Sequence, residues 1–223
     1  MQASSFFICP CPTMITIIKT KHVNDCVTVG LDNGEELKIP FQVAGLFSLE
    51  AGRAVDTTEY AQLKEESQRY RCRNMALDYL AICPRSAVEM ERYLGRKRFD
   101  APLIREIVNG LRDAGYLDDA DYAARYIQNK LSRKLVGKQL LASELQKKGI
   151  SRPVISQALK DSKSMHGDMD ALYAIALKKY DSIKDKKNSV TKLSYFLHSR
   201  GFDADMVSSV IGKILKDRKE DPE

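Results

Sequence analysis

The sequence predicts a mainly α-helical protein, built as a tandem array of three-helix repeats that comes after a small N-terminal β-ribbon and a long connector helix. The first observation is a fifteen-residue pattern that occurs three times, at 94–108, 145–159 and 197–211. Self-similarity at a fixed period is the signature of a repeat protein. The second is Asn33-Gly34 between two runs rich in β-branched residues, which is a strong hairpin signal. The third is that no apolar run reaches the roughly 18 residues of a membrane span, so a soluble array is expected.

The β-ribbon is expected within residues 14–50, with a short helix at its end. Three short runs of strand-forming residues predict antiparallel strands at 16–20, 26–31 and 37–39. An isolated ribbon of this size is marginally stable, so it is expected to pack on the next segment of the chain. Residues 1–13 are expected to be a disordered tail, and Met14 is a candidate for the natural start of the protein.

A long connector helix is predicted over residues 57–83, running into the first repeat. Its middle segment, LKEESQRYRCR, is almost wholly polar, which predicts a solvated helix there. Pro84 is expected to end it, because proline disfavours helix at the preceding residue.

The three repeats are predicted at 74–115, 116–163 and 168–217. In each, a leucine precedes an apolar residue by five positions: Leu94 and Phe99, Leu145 and Ile150, Leu197 and Phe202. The residue after each pair is a good N-cap for helix three, namely Asp100, Ser151 and Asp203. The expected helices are 74–82, one from Ser86 and one from Asp100 in repeat 1; 120–134 and 138–148 in repeat 2; and 169–183, 189–199 and 204–215 in repeat 3.

Local signals mark the ends of these helices. Ser86 and Glu89 are spaced as a capping box, in which each side chain accepts from the other's backbone amide. Gly149 and Gly201 supply the left-handed residue that ends many helices. Arg98 stands at the same position in repeat 1, where a non-glycine residue must accept strain or use a different cap.

Charge indicates an anionic partner at repeat 2. The chain of 223 residues has a net charge of +6 and a pI near 9.0, and residues 119–160 alone carry nine basic against three acidic residues, a net of +6. On a helix continuing to residue 134, Lys130 and Lys134 share one face with Arg133 beside them. A purely solvated basic face is the alternative. The candidate binding residues are Lys130, Arg133, Lys134, Lys138, Lys147 and Lys148, with a secondary cluster at Arg96, Lys97 and Arg98.

Enzymatic, metal and cofactor chemistry is not expected. There is no phosphate-binding glycine motif, and His166 and His198 have no nucleophile motif to pair with. Cys9, Cys11, His22 and Cys26 lack the CxxC spacing of zinc sites, so ordinary thiols are favoured. Five cysteines, an odd number, favour a reducing compartment, and the cytoplasm is expected.

Aromatic side chains could stack on nucleic-acid bases, but apolar neighbours at helical spacing favour a place in the core. The residues concerned are Tyr79, Tyr93, Tyr122, Tyr126, Tyr173 and Phe196.

The junction of repeats 1 and 2 contains Gly115, Tyr116, Leu117, Asp118 and Asp119. Gly115 is expected to end a helix, Tyr116 and Leu117 to insert into the core, and one of the two aspartates to cap the next helix. Followed by Tyr122 and Ala123, and by LxxKG at 145–149, this motif resembles the RecX family, regulators of the RecA recombinase. Lys134, Gly137, Leu141 and Leu145 fit the family pattern as well. The resemblance covers about residues 74–215.

The resemblance implies an elongated crescent of three-helix units that lies in the groove of the RecA filament on single-stranded DNA. There it would restrain ATP hydrolysis, filament growth and strand exchange, in homologous recombination, DNA repair and the SOS response. The implied partners of a monomeric, cytoplasmic protein are the RecA filament and single-stranded DNA, with at most weak binding to duplex DNA. Two other interpretations remain open. One is an autonomous DNA-binding protein whose repeat 2 places a helix in a major groove, and the other is a helical scaffold for another protein.

Overall fold

The computed structural model describes residues 14–162, 169–184 and 187–220. Within them the chain is mainly helical, with ten helices and a small antiparallel sheet, which confirms the expected fold class. The expected tail and the positions Cys9, Cys11 and His166 lie outside the described residues. The chain separates into two compact units, residues 1–83 with 93–110, and residues 84–92 with 111–223.

The strands are β1 (Ile15–Val23), β2 (Cys26–Leu31), β3 (Glu36–Pro40) and β4 (Ala54–Val55). The helices are α1 (Phe41–Phe47), α2 (Thr57–Ile82), α3 (Ala87–Arg96), α4 (Ala101–Asp113), α5 (Asp119–Leu131), α6 (Lys138–Lys147), α7 (Arg152–Asp161), α8 (Met169–Asp181), α9 (Ser189–Ser199) and α10 (Ala204–Glu220).

The sheet has the strand order β3-β2-β1-β4 with all neighbours antiparallel. The three expected strands are present, and the β2–β3 connection contains Gly34 at φ +83°. The fourth strand was not expected, because two residues are too short to show an alternating pattern. The inward side chains of the sheet share a core with α1 and α2: Ile17, Val27, Val29, Leu31, Leu37, Ile39, Ala44, Val55 and Leu63.

Helix α2 begins and ends as predicted, but the expectation of a solvated middle is wrong. Leu63, Ser67, Cys72 and Ala76 are all buried. The Ser67 hydroxyl accepts a hydrogen bond of 3.0 Å from the amide of Lys38 in β3, and Leu63 belongs to the core of the sheet, so this polar helix packs on the sheet through these two residues. Burial raises the pKa of the Cys72 thiol to about 11.

The recurring five-residue spacing is a helix stop. The amides of Phe99, Ile150 and Phe202 donate to the carbonyls of Leu94, Leu145 and Leu197 at 3.5, 3.1 and 3.4 Å. The residue before each amide is left-handed: Arg98 at φ 64°, Gly149 at 85° and Gly201 at 83°. This is the Schellman arrangement, in which the two apolar side chains of the motif also contact each other.

In the second compact unit, each helix stop is also the joint with the preceding repeat. The amides of Gly137 and Gln139, at the start of α6, donate to the carbonyls of Arg200 and Gly201 at 2.8 and 3.1 Å. A helix start leaves such amides without an intrahelical partner, and here the next repeat supplies the acceptors. The joint before it uses a side chain, because the Ser86 hydroxyl donates to the Lys148 carbonyl at 2.6 Å.

Close approach at the joints explains why Arg98 can differ from its equivalents. A Cβ atom on Gly201 would overlap the backbone of Leu140, and one on Gly149 would overlap the Val88 side chain. Both glycines are therefore required by packing as well as by backbone conformation. Arg98 is exposed, so only the conformational requirement remains there.

Several expected details of the helix ends need correction. Helix α5 ends at Leu131, three residues before the expected 134, and α8 ends at Asp181, before the expected 183. Helix α10 extends past 215 to Glu220. Ser151 is the N-cap of α7, but its side chain makes no capping hydrogen bond. Asp203 precedes α10 as expected, and its carbonyl accepts from the Val207 amide at 2.9 Å; its carboxylate also accepts from the Gln139 side chain at 2.8 Å.

Candidate binding surface

The GYLDD motif is a structural junction. Asp118 caps α5 by accepting from the amides of Ala120 and Asp121 at 2.8 and 3.1 Å. Asp119 caps α3 by accepting from the Ala87 amide at 3.0 Å. Both aspartates are therefore caps, one for its own helix and one for a helix 32 positions earlier.

Leu117 is buried as expected, but Tyr116 is 61% exposed, so its expected insertion into the core is wrong. The amides of both residues bond to the carbonyl of Leu111, just after the left-handed Gly115. In a turn this tight, only one of two consecutive side chains enters the core.

Lys148 is held by an internal ion pair. Its ammonium lies 2.8 Å from Glu89, and the two side chains are 29% and 19% exposed. Glu89 also accepts from the Tyr122 hydroxyl at 3.1 Å and from the Ser86 amide at 3.2 Å, and the Ser86 hydroxyl accepts from the Glu89 amide, which confirms the capping box.

Hydrogen bonds keep Glu89 and Lys148 charged although both side chains are largely buried. Burial alone would raise the pKa of Glu89, but hydrogen bonds from Lys148 and the Ser86 amide outweigh it and lower the pKa. Burial would likewise lower the pKa of Lys148, but the hydrogen bond to Glu89 and the interaction with Tyr122 raise it. Lys148 therefore links helices α3 and α6 within the unit.

Lys130 is also engaged internally. It pairs with Glu144 at 2.9 Å and lies 5.4 Å from the centre of the Tyr126 ring, while the Tyr126 hydroxyl donates to Glu144 at 2.8 Å. The hydrogen bond to Glu144 raises the pKa of Lys130. Two of the six candidate cations thus have carboxylate partners in their own unit.

The other four candidates, Arg133, Lys134, Lys138 and Lys147, are exposed. None of them forms an ion pair with any residue that the structure describes. Because α5 ends at Leu131, Lys134 lies in the following turn and not on the helix, although its amide still bonds to the Lys130 carbonyl at 3.0 Å. The secondary cluster of Arg96, Lys97 and Arg98 is exposed too, and Lys97 lies 5.7 Å from the centre of the Tyr93 ring.

Repeat 3 contains cations that were not among the residues predicted from the sequence. The ring of Phe196 is half-buried, with the Lys179 ammonium 5.3 Å and the Arg200 guanidinium 4.6 Å from its centre. The adjacent Tyr195 is 77% exposed. A signal for this site was present in the repeat alignment, because Phe196 stands where repeat 2 has Glu144.

The described residues offer neither a metal site nor a membrane span. In the ranges that the structure describes, no group of His, Cys, Asp and Glu could hold a metal ion. No described helix is long and apolar enough to cross a membrane. The fold and its exposed cations define a helical-repeat binding protein made of three-helix units.

Comparison with known proteins places the chain within this class. Residues 72–111 match the model of the first three-helix domain of RecX, and residues 118–159 match that of the second. The regulatory protein RecX of Clostridium tetani (strain Massachusetts / E88) is 30% identical over 178 residues, covering 78% of this chain and 81% of the relative. That of Bacillus subtilis (strain 168) is 28% identical over 211 residues, covering 94% and 80%.

The fold is similar to a crystal structure of regulatory protein RecX, with a TM-score of 0.71 at 21% identity over 88% of this chain and 98% of that one. The chain belongs to the RecX family of regulatory proteins, which confirms the resemblance seen in the sequence.

Proposed function

We propose that this protein regulates the RecA recombinase by binding along the groove of the RecA filament on single-stranded DNA, where it restrains ATP hydrolysis and strand exchange. It acts in the cytoplasm as a monomer, without catalytic activity or cofactor of its own. Family membership supports a regulatory role, and the exposed cations support an anionic partner such as DNA or an acidic filament surface.

The observation that carries this proposal is the set of four cations in repeat 2 without carboxylate partners among the described residues: Arg133, Lys134, Lys138 and Lys147. Arg133 and Lys134 lie in the turn between α5 and α6, Lys138 begins α6, and Lys147 lies in its last turn. Lys130 and Lys148 instead link α3, α5 and α6 through their ion pairs with Glu144 and Glu89.

The test is the ATPase activity of RecA on single-stranded DNA with substoichiometric amounts of this protein. The parent chain should lower the activity, and Arg133→Glu, Lys134→Glu and Lys138→Glu combined should remove most of that effect. A matched control reverses Lys21, Arg105 and Lys178, which are exposed and lie elsewhere on the chain. Both variants have the same net charge, so a loss in the first alone identifies the site.

No inhibition by the parent chain at stoichiometric amounts would refute the regulatory proposal, and equal inhibition by the parent and the first triple variant would refute the assigned surface. Binding to duplex DNA with a base-sequence preference and no recombinase would instead favour the autonomous DNA-binding alternative.

A further inference from the structure

The third repeat has an open groove of about 710 Å³ between α8 and α9. Its lining includes Lys179, Ile183, Lys192, Tyr195 and Phe196. Positions 192, 195, 196 and 199 of α9 all line the groove, and of these Phe196 also packs against the core of the repeat.

The groove concentrates positive charge, and no residue that the structure describes supplies a counterion. Neither Lys179 nor Lys192 forms an ion pair within the described part of the chain, and the same holds for Arg200 beside Phe196. None of the described carboxylates lines the groove, and the nearby Asp181 is paired with Arg218. Two cations held against one ring repel each other, and a bound anion would relieve that repulsion.

The equivalent positions of repeat 2 carry the same cations with counterions. Leu145 and Leu197 align, so Glu144 corresponds to Phe196 and Lys148 to Arg200. The buried pairs Ala123 with Ile127 and Leu172 with Ala176 align α5 with α8, so Lys130 corresponds to Lys179. In repeat 2 the carboxylates of Glu144 and Glu89 neutralise both cations, whereas in repeat 3 an aromatic ring replaces the carboxylate.

We propose that this groove binds single-stranded nucleic acid, with a base stacked on Tyr195 and backbone phosphates at Lys179 and Lys192. Single-strand binding sites combine these two elements, a positively charged groove and an exposed aromatic face. Tyr195 meets the second requirement because most of its side chain is open to solvent. Unpaired bases are favoured over a duplex, because the faces of paired bases are already stacked on their neighbours.

This site lies outside the candidate surface of repeat 2 and needs no recombinase. Binding of the full chain to a fluorescent oligothymidylate is therefore measured with no other protein present. Failure of this test leaves the proposed regulation of RecA standing, and failure of the ATPase test leaves this site standing.

Tyr195→Trp supplies a direct reporter, because the chain contains no tryptophan. Stacking of a base on the introduced indole should quench its fluorescence as oligothymidylate is added, and added salt should reverse the quenching. Tyr195→Ala should weaken binding at least about fivefold, the loss expected for one stacked base. Tyr195→Phe, which keeps the ring, should stay within about twofold of the parent.

The charges are tested separately. Lys179→Gln and Lys192→Gln should each reduce the slope of log affinity against log salt by about 0.7, the value for one phosphate contact on a single strand. Phe196→Glu should weaken binding at least about tenfold, because it restores the carboxylate found in repeat 2. Tyr116→Ala is the matched control, since that tyrosine is also exposed but is not among the residues that line the groove. Circular dichroism of each variant confirms that it is folded.

Three results would overturn the proposal. One is no change in indole fluorescence at saturating oligothymidylate, and another is affinity of Tyr195→Ala within twofold of the parent. The third concerns Lys179→Gln and Lys192→Gln. If these variants lose binding to the recombinase filament but bind the free oligonucleotide as the parent does, the groove is a protein contact.

Discussion

Gly201→Ala should destabilise the protein by about 3 kcal/mol through the joint between repeats 2 and 3. An alanine at φ +83° costs about 1 to 2 kcal/mol for the left-handed backbone. The added Cβ would overlap the backbone nitrogen of Leu140, which cannot move as a flexible side chain could, and overpacking of this kind costs about 1 to 3 kcal/mol. Opening the joint to relieve the overlap would break the hydrogen bonds of Gly137 and Gln139 to the Arg200 and Gly201 carbonyls.

Urea unfolding followed by far-ultraviolet circular dichroism measures this cost. Gly115→Ala is the control, because Gly115 is also left-handed at φ +76° but a Cβ there would meet nothing within 4 Å. The control should lose only the conformational part, about 1 to 2 kcal/mol. If the two variants lose equal stability, the close approach at the joint contributes nothing and the account of the repeat interface is wrong.

Three other outcomes are expected from the charged and buried groups. Because the pKa of Glu89 is lowered on folding, its ionised carboxylate stabilises the folded protein at pH values above the unfolded pKa of about 4.3. This stabilisation is lost as the pH falls through the folded pKa. Glu89→Gln should therefore reduce the urea midpoint at neutral pH and have little effect in strong acid. Lys148→Met should lower the free energy of unfolding by about 1 to 2 kcal/mol, because it leaves a largely buried carboxylate without its cation. Lys130→Met should lower it by only about 0.5 kcal/mol, because that pair is more exposed. Equal losses in urea unfolding would contradict this difference. Cys72 is buried, and its pKa is raised to about 11. It should therefore react with iodoacetamide much more slowly than the half-buried Cys83, as mass spectrometry of the labelled chain can determine. Faster labelling of Cys72 would show that the packing around this part of α2 opens readily.

Local patterns in the sequence were sufficient to predict most helices and their stops. The leucine five residues before Phe99, Ile150 and Phe202 belongs to one hydrogen-bonded turn, so its spacing is visible without any tertiary contact. The capping box at Ser86 and Glu89 is local in the same way. Such features depend on residues a few positions apart, and they were predicted correctly.

Features that depend on distant residues were missed. The burial of Ser67 requires β3 to lie against α2, and the two-residue strand β4 exists only because β1 is beside it. Gly149 and Gly201 are also required because the preceding repeat packs closely against them, and this contact cannot be predicted from local sequence. In the candidate surface, the sequence could count cations but could not tell which had carboxylate partners, because Glu89 and Lys148 are 59 positions apart.

Equivalent positions in repeats 2 and 3 therefore carry cations of two kinds: those paired with a carboxylate of the protein, and those that can bind an external anion. In repeat 2, Lys130 and Lys148 use Glu144 and Glu89 to hold three helices together, so the high net charge of that segment overstates what a partner can reach. In repeat 3, Phe196 at the position of Glu144 removes the counterion and packs an apolar side chain on the core. The core of that repeat has Leu193 and Leu197 fully buried, and no described carboxylate pairs with Lys179 or Arg200. A repeat that is stable without its ion pairs can leave its cations free for an external anion, and in this chain that condition is met most clearly beside Tyr195.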